Sequence, residues 1–396
     1  MNTAILHTEI QDFIQKNLET DTTRLLLGKS PFAGISTREL AEQIESKKRC
    51  QKKLPLWYST PGIYFPPKIS IEQASSQATA MYKANLIQGE SLIDLSGGLG
   101  IDSYYFSRKA RQVVHCEINA ELSGIAQHNA GVLEVKNMQF IQGDGLQELL
   151  SSAQNFDTIY VDPSRRVNTQ KVFLLEDCEP NVPGNLDLLL SKASRIIIKT
   201  SPLLDIHSGL QELKQVSAVH ILSVKNDCKE VIWVIDRDFQ GQEPEIICTA
   251  INPDETRQYS FKSSEEKEFT VDHYSEPLDF IYEPDVSLLK AGCFKLLTRD
   301  FKIQKLHQHT HIYTSTKLES NFIGRQFKLL HCYNYRTFIK ENKLKQANII
   351  SRNFPLSPLE IKKKHRINDG GQDYLLFTTG PQNDLLVLHC QRLDLA

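Results

Sequence analysis

Four acidic residues each close a short apolar run: Asp94 in SLIDL, Glu117 in VVHCEI, Asp144 just past MQFIQ in QGDG, and Asp162 in TIYVDP. Runs of this length, rich in β-branched residues, read as buried strands, and helix-length connections between them make the strands parallel. Their ends then gather along one edge of a sheet, where open α/β folds bind ligands. A carboxylate at that edge is an acceptor for hydroxyl and amino groups.

After Asp94 the chain turns through Ser96, Gly97, Gly98 and Gly100 before a helix opens. Glycine lets backbone approach a ligand closely. Gly98-Leu-Gly100-Ile-Asp-Ser103 also approaches the G-x-G-x-x-G pattern of a nicotinamide dinucleotide site, with Ser for the last Gly. Glu117, 23 positions beyond Asp94, can accept from both hydroxyls of a ribose, which fits either kind of nucleoside cofactor. Asp144 can accept from an adenine amino group or make a plain Asx turn. Asp162 faces the point where a transferable group would sit.

The elements that must position these side chains follow in order. Seven apolar runs, SLIDL, VVHCEI, MQFIQGD, TIYVDP, RIIIKT, AVHILSV and EVIWVID, alternate with helical stretches. The pattern predicts an α/β fold, a doubly wound sheet with helices on both faces, whose last two strands form an antiparallel pair at the sheet's end. Ahead of it, residues 1–88 read as a helical unit. Ser36 with Glu39, and Ser70 with Gln73, make capping boxes, the second opening a helix that stops near Gly89. The four prolines of residues 54–69 predict extended or turn-rich backbone there. Beyond Asp236 the pattern turns strand-rich, and a third box, Ser357 with Glu360, has Pro358 at the first helical position. Small C-terminal α+β modules are expected.

At 396 residues the chain suggests two to four units, and 40% hydrophobic with 24% charged residues lies in the globular range. No run of about eighteen apolar residues occurs, and the N-terminus lacks a signal-peptide core, so no membrane contact and a cytoplasmic location are expected. The eight cysteines are scattered without a C-x-x-C pair, which indicates neither a zinc ribbon nor a disulfide framework. His307, His309 and His311 alternate and would share a strand face, but a metal site would need a further ligand, and no metal is expected.

The net charge of -2 hides an asymmetry. Lys290 to Arg366 holds 17 Lys/Arg against 4 Asp/Glu, leaving 29 against 44 elsewhere. That basic region carries nine aromatic residues, of which Tyr313, Tyr333, Tyr335 and Phe338 could stack on unpaired bases, with half of them expected in the core. A polyanion partner is the expectation.

The four strand ends resemble class I S-adenosylmethionine methyltransferases over roughly residues 90–240. The resemblance implies a Rossmann-like seven-stranded sheet and S-adenosyl-L-methionine as cofactor. It assigns Asp94, Ser96, Gly97, Gly98 and Gly100 to the methionine portion, Glu117 and the neighbouring Ile118 to the ribose side, and Asp144 with Gly145 to adenine. EQASSQATAMYK, DPSRR, KTSPLLD, NDCKE and RNFPLSPLEIKKKHRINDGGQDYLLFTT are together similar to the bacterial methyltransferases that carry a ferredoxin-like unit and a C-terminal THUMP-like domain. That similarity implies a methyltransferase domain at 89–240, a ferredoxin-like unit at 241–325, a THUMP-like domain at 326–396, and RNA as partner.

Many amino-group methyltransferases of nucleic acids carry Asn/Asp-Pro-Pro-aromatic after strand four, and here Asp162, Pro163 and Ser164 form the expected catalytic set, with Ser164 and Arg165 replacing the second proline and the aromatic. Arg165, Arg166 and Lys199 are expected to contact substrate, an arginine plane being able to stack on a base or pair with phosphate; both arginines could instead brace Glu176 or Asp177. Asp205 could border the substrate or cap a helix, and Ser75, Ser76 and Thr79 could line the cofactor entrance or be satisfied locally. No cysteine adjoins the strand-four motif, and Cys178, the nearest downstream, is expected to be structural. The expected function is methylation of a nitrogen of an RNA base. Rival readings are a protein methyltransferase acting on an acidic partner and an RNA-binding protein on a non-catalytic scaffold.

Overall fold

The computed structural model describes residues 1–165 and 174–393. The chain forms two compact units, Met1–Ala218 with Glu230–Gln242, and Val219–Lys229 with Glu243–Ala396.

The first unit opens with helices. The predicted box forms, Ser36 Oγ accepting from Glu39 N at 3.1 Å, and starts the helix Thr37–Lys53. Leu40 and Ile44 on its inner face join Ile10 and Ile14 of the helix Thr8–Lys16 in one apolar cluster. Two local expectations change. A helix, Pro55–Ser59, forms inside the proline-rich stretch, because Pro55 stands at the first turn, where a missing N–H costs nothing. The helix expected from Ser70 onward is broken into Lys68–Gln73 and Gln77–Ala84: Ala74 is extended, and Ser76 caps the second piece through Thr79 N at 3.2 Å.

The sheet of this unit contains β1 (Ser91–Asp94), β2 (Gln112–Glu117), β3 (Met138–Gln142) and β4 (Phe156–Val161). A separate short ladder joins β5 (Ser164–Arg165) to β6 (Cys178–Glu179). Then come β7 (Ala193–Thr200), β8 (Val216–Val224) and β9 (Asp227–Asp236). Within this unit the order is β9-β7-β4-β1-β2-β3, most of β8 and the start of β9 belonging to the second unit. β1 pairs in parallel with β2 and β4, β2 with β3, and β4 with β7, while β9 runs antiparallel against β7. The fold is therefore α/β, a mainly parallel sheet with β9 as its antiparallel member. Glu230 to Ile235 of β9 are all buried, a pattern that suits an interior strand.

The second unit has an antiparallel pair, β10 (Glu245–Ile251) and β11 (Thr256–Phe261), and a seven-stranded sheet. Its strands are β12 (Phe280–Pro284), β13 (Gln304–His307), β14 (Thr310–Ser315), β15 (Gly324–Asn334), β16 (Asn348–Ser351), β17 (Asp373–Thr379) and β18 (Leu385–Arg392), ordered β13-β14-β12-β15-β18-β17-β16. The long β15 pairs with β12 through its first half and with β18 through its second. Phe327, Leu376 and Leu388 belong to one buried cluster. Leu375, Phe377 and Val387, on the alternate face, meet Phe338 and Ile361 from the helices Tyr335–Glu341 and Pro358–His365. The predicted Ser357–Glu360 box caps the latter.

Candidate active site

Each strand end delivers its carboxylate to the same edge of the first unit's sheet. Asp94 is buried, its Oδ2 accepting from Ser103 Oγ at 2.5 Å and its Oδ1 from Ser96 N at 3.0 Å. Burial pushes its pKa up to about 7, against the opposing pull of those two hydrogen bonds.

The turn after β1 is closely fitted. Gly97 N donates to Cys116 O at 2.8 Å, and Gly98, at φ 53°, donates its N–H to Glu117 Oε2 at 2.8 Å. A Cβ at position 97 would lie 2.3 Å from His115 Nε2, so the buried imidazole fills the space a side chain would need. Burial drives that imidazole down to about 4, which keeps it neutral under the loop. Glu117 also accepts from Asn119 N at 2.7 Å through Oε1, and each of its oxygens keeps a lone pair for a further donor. Ile118 beside it is 73% exposed. Asp144 caps the helix Gly145–Ser151, Oδ1 accepting from Leu146 N at 2.8 Å, as the local reading allowed. A Cβ at Gly145 would meet Leu95 O at 2.5 Å, so this turn lies directly on the backbone after β1.

Asp162 is tied to the same loop: its N–H donates to Ser96 Oγ at 2.6 Å. Its Oδ2 accepts a close hydrogen bond from Lys199 Nζ at the end of β7. Its surroundings press its pKa upward, burial outweighing the pull of Lys199 and Lys83. For Lys199, burial works to lower the pKa, but Asp162, Glu230 and Asp102 hold the ammonium above its ordinary value. Pro163 and Ser164 lead into the β5–β6 ladder, where Ser164 stands opposite Glu179 and Arg165 opposite Cys178. Arg166 lies outside the described residues. Glu176 N donates to Glu212 Oε2 at 3.0 Å.

The other sequence candidates separate. Ser75 Oγ donates to Asp102 Oδ2 at 2.7 Å, Thr79 Oγ1 donates to Ser76 O at 3.2 Å, and Asp205 caps the helix Ile206–Glu212 through Ser208 N at 2.9 Å. His307, His309 and His311 do not share a strand face, because β13 ends at His307 and β14 begins at Thr310. His311 stacks on Phe294 at 3.7 Å, and burial pushes its pKa down to about 4. Among the described residues no group of three His, Cys, Asp or Glu is disposed to hold a metal ion. Of the four aromatic candidates, Tyr313 and Phe338 are the half that packs in the core, since β14 and the first C-terminal helix turn them inward. No described helix is long and apolar enough to cross a membrane.

Sequence reasoning missed a buried charge cluster behind Asp162. Lys83, fully buried, donates to Ser75 Oγ at 2.6 Å and Glu230 Oε2 at 2.7 Å, and lies 3.0 Å from Asp102 Oδ1. Tyr160 Oη donates to Asp102 Oδ2 at 2.9 Å. Burial raises the Asp102 pKa, but Lys83 and Lys199 outweigh it and hold the carboxyl below its usual range. The available signal was a lysine in register with Thr79 and Ala80 on the inner face of the helix Gln77–Ala84. EQASSQATAMYK, GID, TIYVDP and NDCKE, distant in sequence, supply these residues.

Comparison with known proteins identifies the domains of the chain. Family models match residues 280–322 as a ferredoxin-like domain, 324–392 as THUMP domain-like, and 74–179 as conserved hypothetical protein 95. A crystal structure from Porphyromonas gingivalis W83, provisionally assigned as a methyltransferase, is 32% identical, covers 99% of each chain and superposes with a TM-score of 0.87. An uncharacterized RNA methyltransferase of Mycoplasma mobile is 31% identical over 134 residues, 33% of this chain and 36% of that protein. The 23S rRNA uracil-C5-methyltransferase RlmD of Cronobacter sakazakii is 29% identical over 136 residues, 32% of this chain and 31% of that one. The chain thus spans about a third of the length of these curated relatives. With the fold, the two C-terminal domains and the full-length likeness in agreement, the chain belongs to the class I methyltransferase family that carries ferredoxin-like and THUMP-like domains.

Proposed function

We propose that the protein transfers a methyl group from S-adenosyl-L-methionine to a nitrogen of an RNA base. The observation that carries this reading is Asp162, whose backbone is bonded to the donor loop through Ser96 and whose carboxylate is paired with Lys199. One residue thereby couples the place of the methyl donor to the place of the acceptor.

The residues present fit the cofactor. Backbone packed so tightly at Gly97 and Gly145 that no Cβ fits leaves a smooth cradle, and Glu117 retains acceptor capacity toward a ribose. S-adenosylmethionine, when bound, supplies a methyl group on a sulfonium that needs neither metal nor covalent help. Asp94 and the turn from Ser96 to Gly100 would hold its methionine portion, with Glu117 and Ile118 at the ribose and Asp144 with Gly145 near the adenine. The remaining work of the chain is orientation. Lys199 favours the ionised form of Asp162, which accepts a hydrogen bond from the target N–H and aims the nitrogen lone pair. Pro163 and Ser164 fix the turn beyond it, and Arg165 and Arg166 would contact the base or its phosphate.

Some matched relatives are named for methylating uracil at C5, a carbon. That chemistry requires a nucleophilic thiol, and two of the first unit's three cysteines, Cys50 and Cys116, are buried with their thiols pushed up to about 12. The third, Cys178, stands opposite Arg165, but its Sγ bonds to Leu174 O at 3.6 Å. The nitrogen reading is therefore preferred, with Cys178 as the point on which a carbon target would turn.

The test is transfer of radiolabelled methyl from S-adenosylmethionine into RNA, and separately into protein, in extracts of cells lacking the enzyme. Label in RNA that vanishes with Asp162→Asn while cofactor binding persists supports the proposal. Label only in protein, or none despite tight cofactor binding, overturns it.

A further inference from the structure

We infer that the helices Tyr335–Glu341 and Pro358–His365, with the loops that follow them, form a phosphate-binding face for folded RNA, gripping its backbone rather than stacking on its bases. This rests on RNA being the partner, and it specifies where and how the chain holds it.

From Tyr335 to Asp369 there are nine Lys/Arg against three Asp/Glu. The fold gathers those of the two helices and the loops that follow them on one side. Phe338 and Ile361 turn into the same apolar cluster, Tyr335 Oη lies 3.1 Å from His365 Nε2, and the Lys364 ammonium sits 5.4 Å over the Tyr335 ring. The loop after the first helix lies against the turn after the second, Asn368 N donating to Lys345 O at 2.8 Å. With the inner faces fixed, helical periodicity puts Arg336 and Lys340 on the outer face of the first helix and Lys363 on that of the second. Lys343, Lys345 and Arg366 extend the patch through the loops.

Two features turn this from a solvated face into a site for a polyanion. Arg336, Lys340, Lys343, Lys345, Lys363 and Arg366 are all exposed, and none makes an ion pair among the described residues. The acids nearby are already engaged: Glu360 serves the Ser357 box at 2.7 Å and Asp369 pairs with Lys362 at 2.5 Å, which leaves Glu341 alone. The aromatic residues of the two helices, Tyr335 and Phe338, do not supply a base platform. Phe338 is 1% exposed, and the half-buried Tyr335 ring lies under Lys364. Cations without aromatic platforms suit phosphate neutralisation, which tolerates paired bases and reads little sequence.

The experiment uses the full chain, a labelled hairpin RNA, a single strand of equal length and polyglutamate, with fluorescence anisotropy across a salt series. Arg336→Glu/Lys340→Glu/Lys363→Glu should weaken hairpin binding by at least tenfold and lower the salt slope by about 2, since each lost phosphate contact removes roughly 0.7 to 0.9. Lys262→Glu/Lys317→Glu, an exposed pair elsewhere in this unit, should change binding less than twofold. Affinity for S-adenosylmethionine and the circular dichroism spectrum should be unaltered in both variants. Hairpin binding that survives the triple substitution overturns this surface and leaves the RNA reading intact. A strong preference for the single strand overturns the backbone mode. A wild-type chain that prefers polyglutamate, or binds neither RNA, overturns the surface and the RNA reading together.

Discussion

Lys83, on the helix ahead of the first strand, donates at 2.7 Å to Glu230, 147 positions further along the chain on β9. With Asp102 at 3.0 Å and Ser75 at 2.6 Å, this fully buried ammonium joins the helix Gln77–Ala84 to the helix that follows the glycine turn and to the sheet. Removing one member of such a group leaves uncompensated charge in a medium that solvates it poorly. Lys83→Met should therefore destabilise the protein by about 3–5 kcal/mol. Glu230→Gln, which keeps an acceptor for Lys83, should cost less. Urea denaturation followed by circular dichroism checks the order, and equal costs would contradict it.

Asp94 gives a pH dependence with a definite sign. Its pKa of about 7 in the fold exceeds the ordinary value of 3.8, so between those limits the folded chain holds a proton that the unfolded chain has released. Without cofactor, this group makes the protein less stable as pH climbs through that window and has no further effect above it. Binding of S-adenosylmethionine, whose ammonium favours the ionised carboxylate, should tighten as pH rises through about 7. Asp94→Asn should flatten both trends, read by thermal melts and by calorimetric titration with S-adenosylmethionine at several pH values.

Glycines in this chain divide by what surrounds them. Gly97→Ala would drive a methyl group to 2.3 Å from His115 Nε2, and Gly145→Ala to 2.5 Å from Leu95 O. Both should weaken S-adenosylmethionine binding by at least tenfold, the second also lowering stability because backbone yields less readily than a side chain. Gly124 and Gly131, inside the helix Ala120–Val132, have open space around them, and alanine at each should stabilise by about 0.5–1 kcal/mol. Melting temperatures of the four variants separate the two groups.

Cys178 discriminates between the chemistries of the acceptor atom. With a nitrogen target, Cys178→Ala should leave methyl transfer to RNA within about threefold of wild type, because the thiol takes no part in the reaction. A loss beyond a hundredfold, with cofactor binding intact, would instead assign a carbon target to the site.

The carboxylates at 94, 117, 144 and 162 were legible in the sequence because each ends an apolar run, and the period of a strand fixes where such a residue emerges. The same local logic gave the boxes at Ser36 and Ser357, since a cap is decided within four residues. It failed at Ser70, where the competing cap at Ser76 and the tie from Ser75 to Asp102 break the helix. Which half of Tyr313, Tyr333, Tyr335 and Phe338 packs in the core was not legible, because composition does not say which way a side chain points, and the packing of the second unit's sheet turned Tyr313 and Phe338 inward.

The sequence by itself determined the order of strands and helices, the acidic strand ends and the basic C-terminal stretch, all of which depend on neighbours along the chain. Tertiary structure alone decided that Lys83, Asp102, Tyr160 and Glu230 meet, that His115 fills the floor of the glycine turn, and that unpaired cations of two helices share one face. Those are contacts between segments far apart in sequence. Burial and charge settle such contacts only after the chain has closed on itself, because the free energy of an ion or a ring depends on what surrounds it in space.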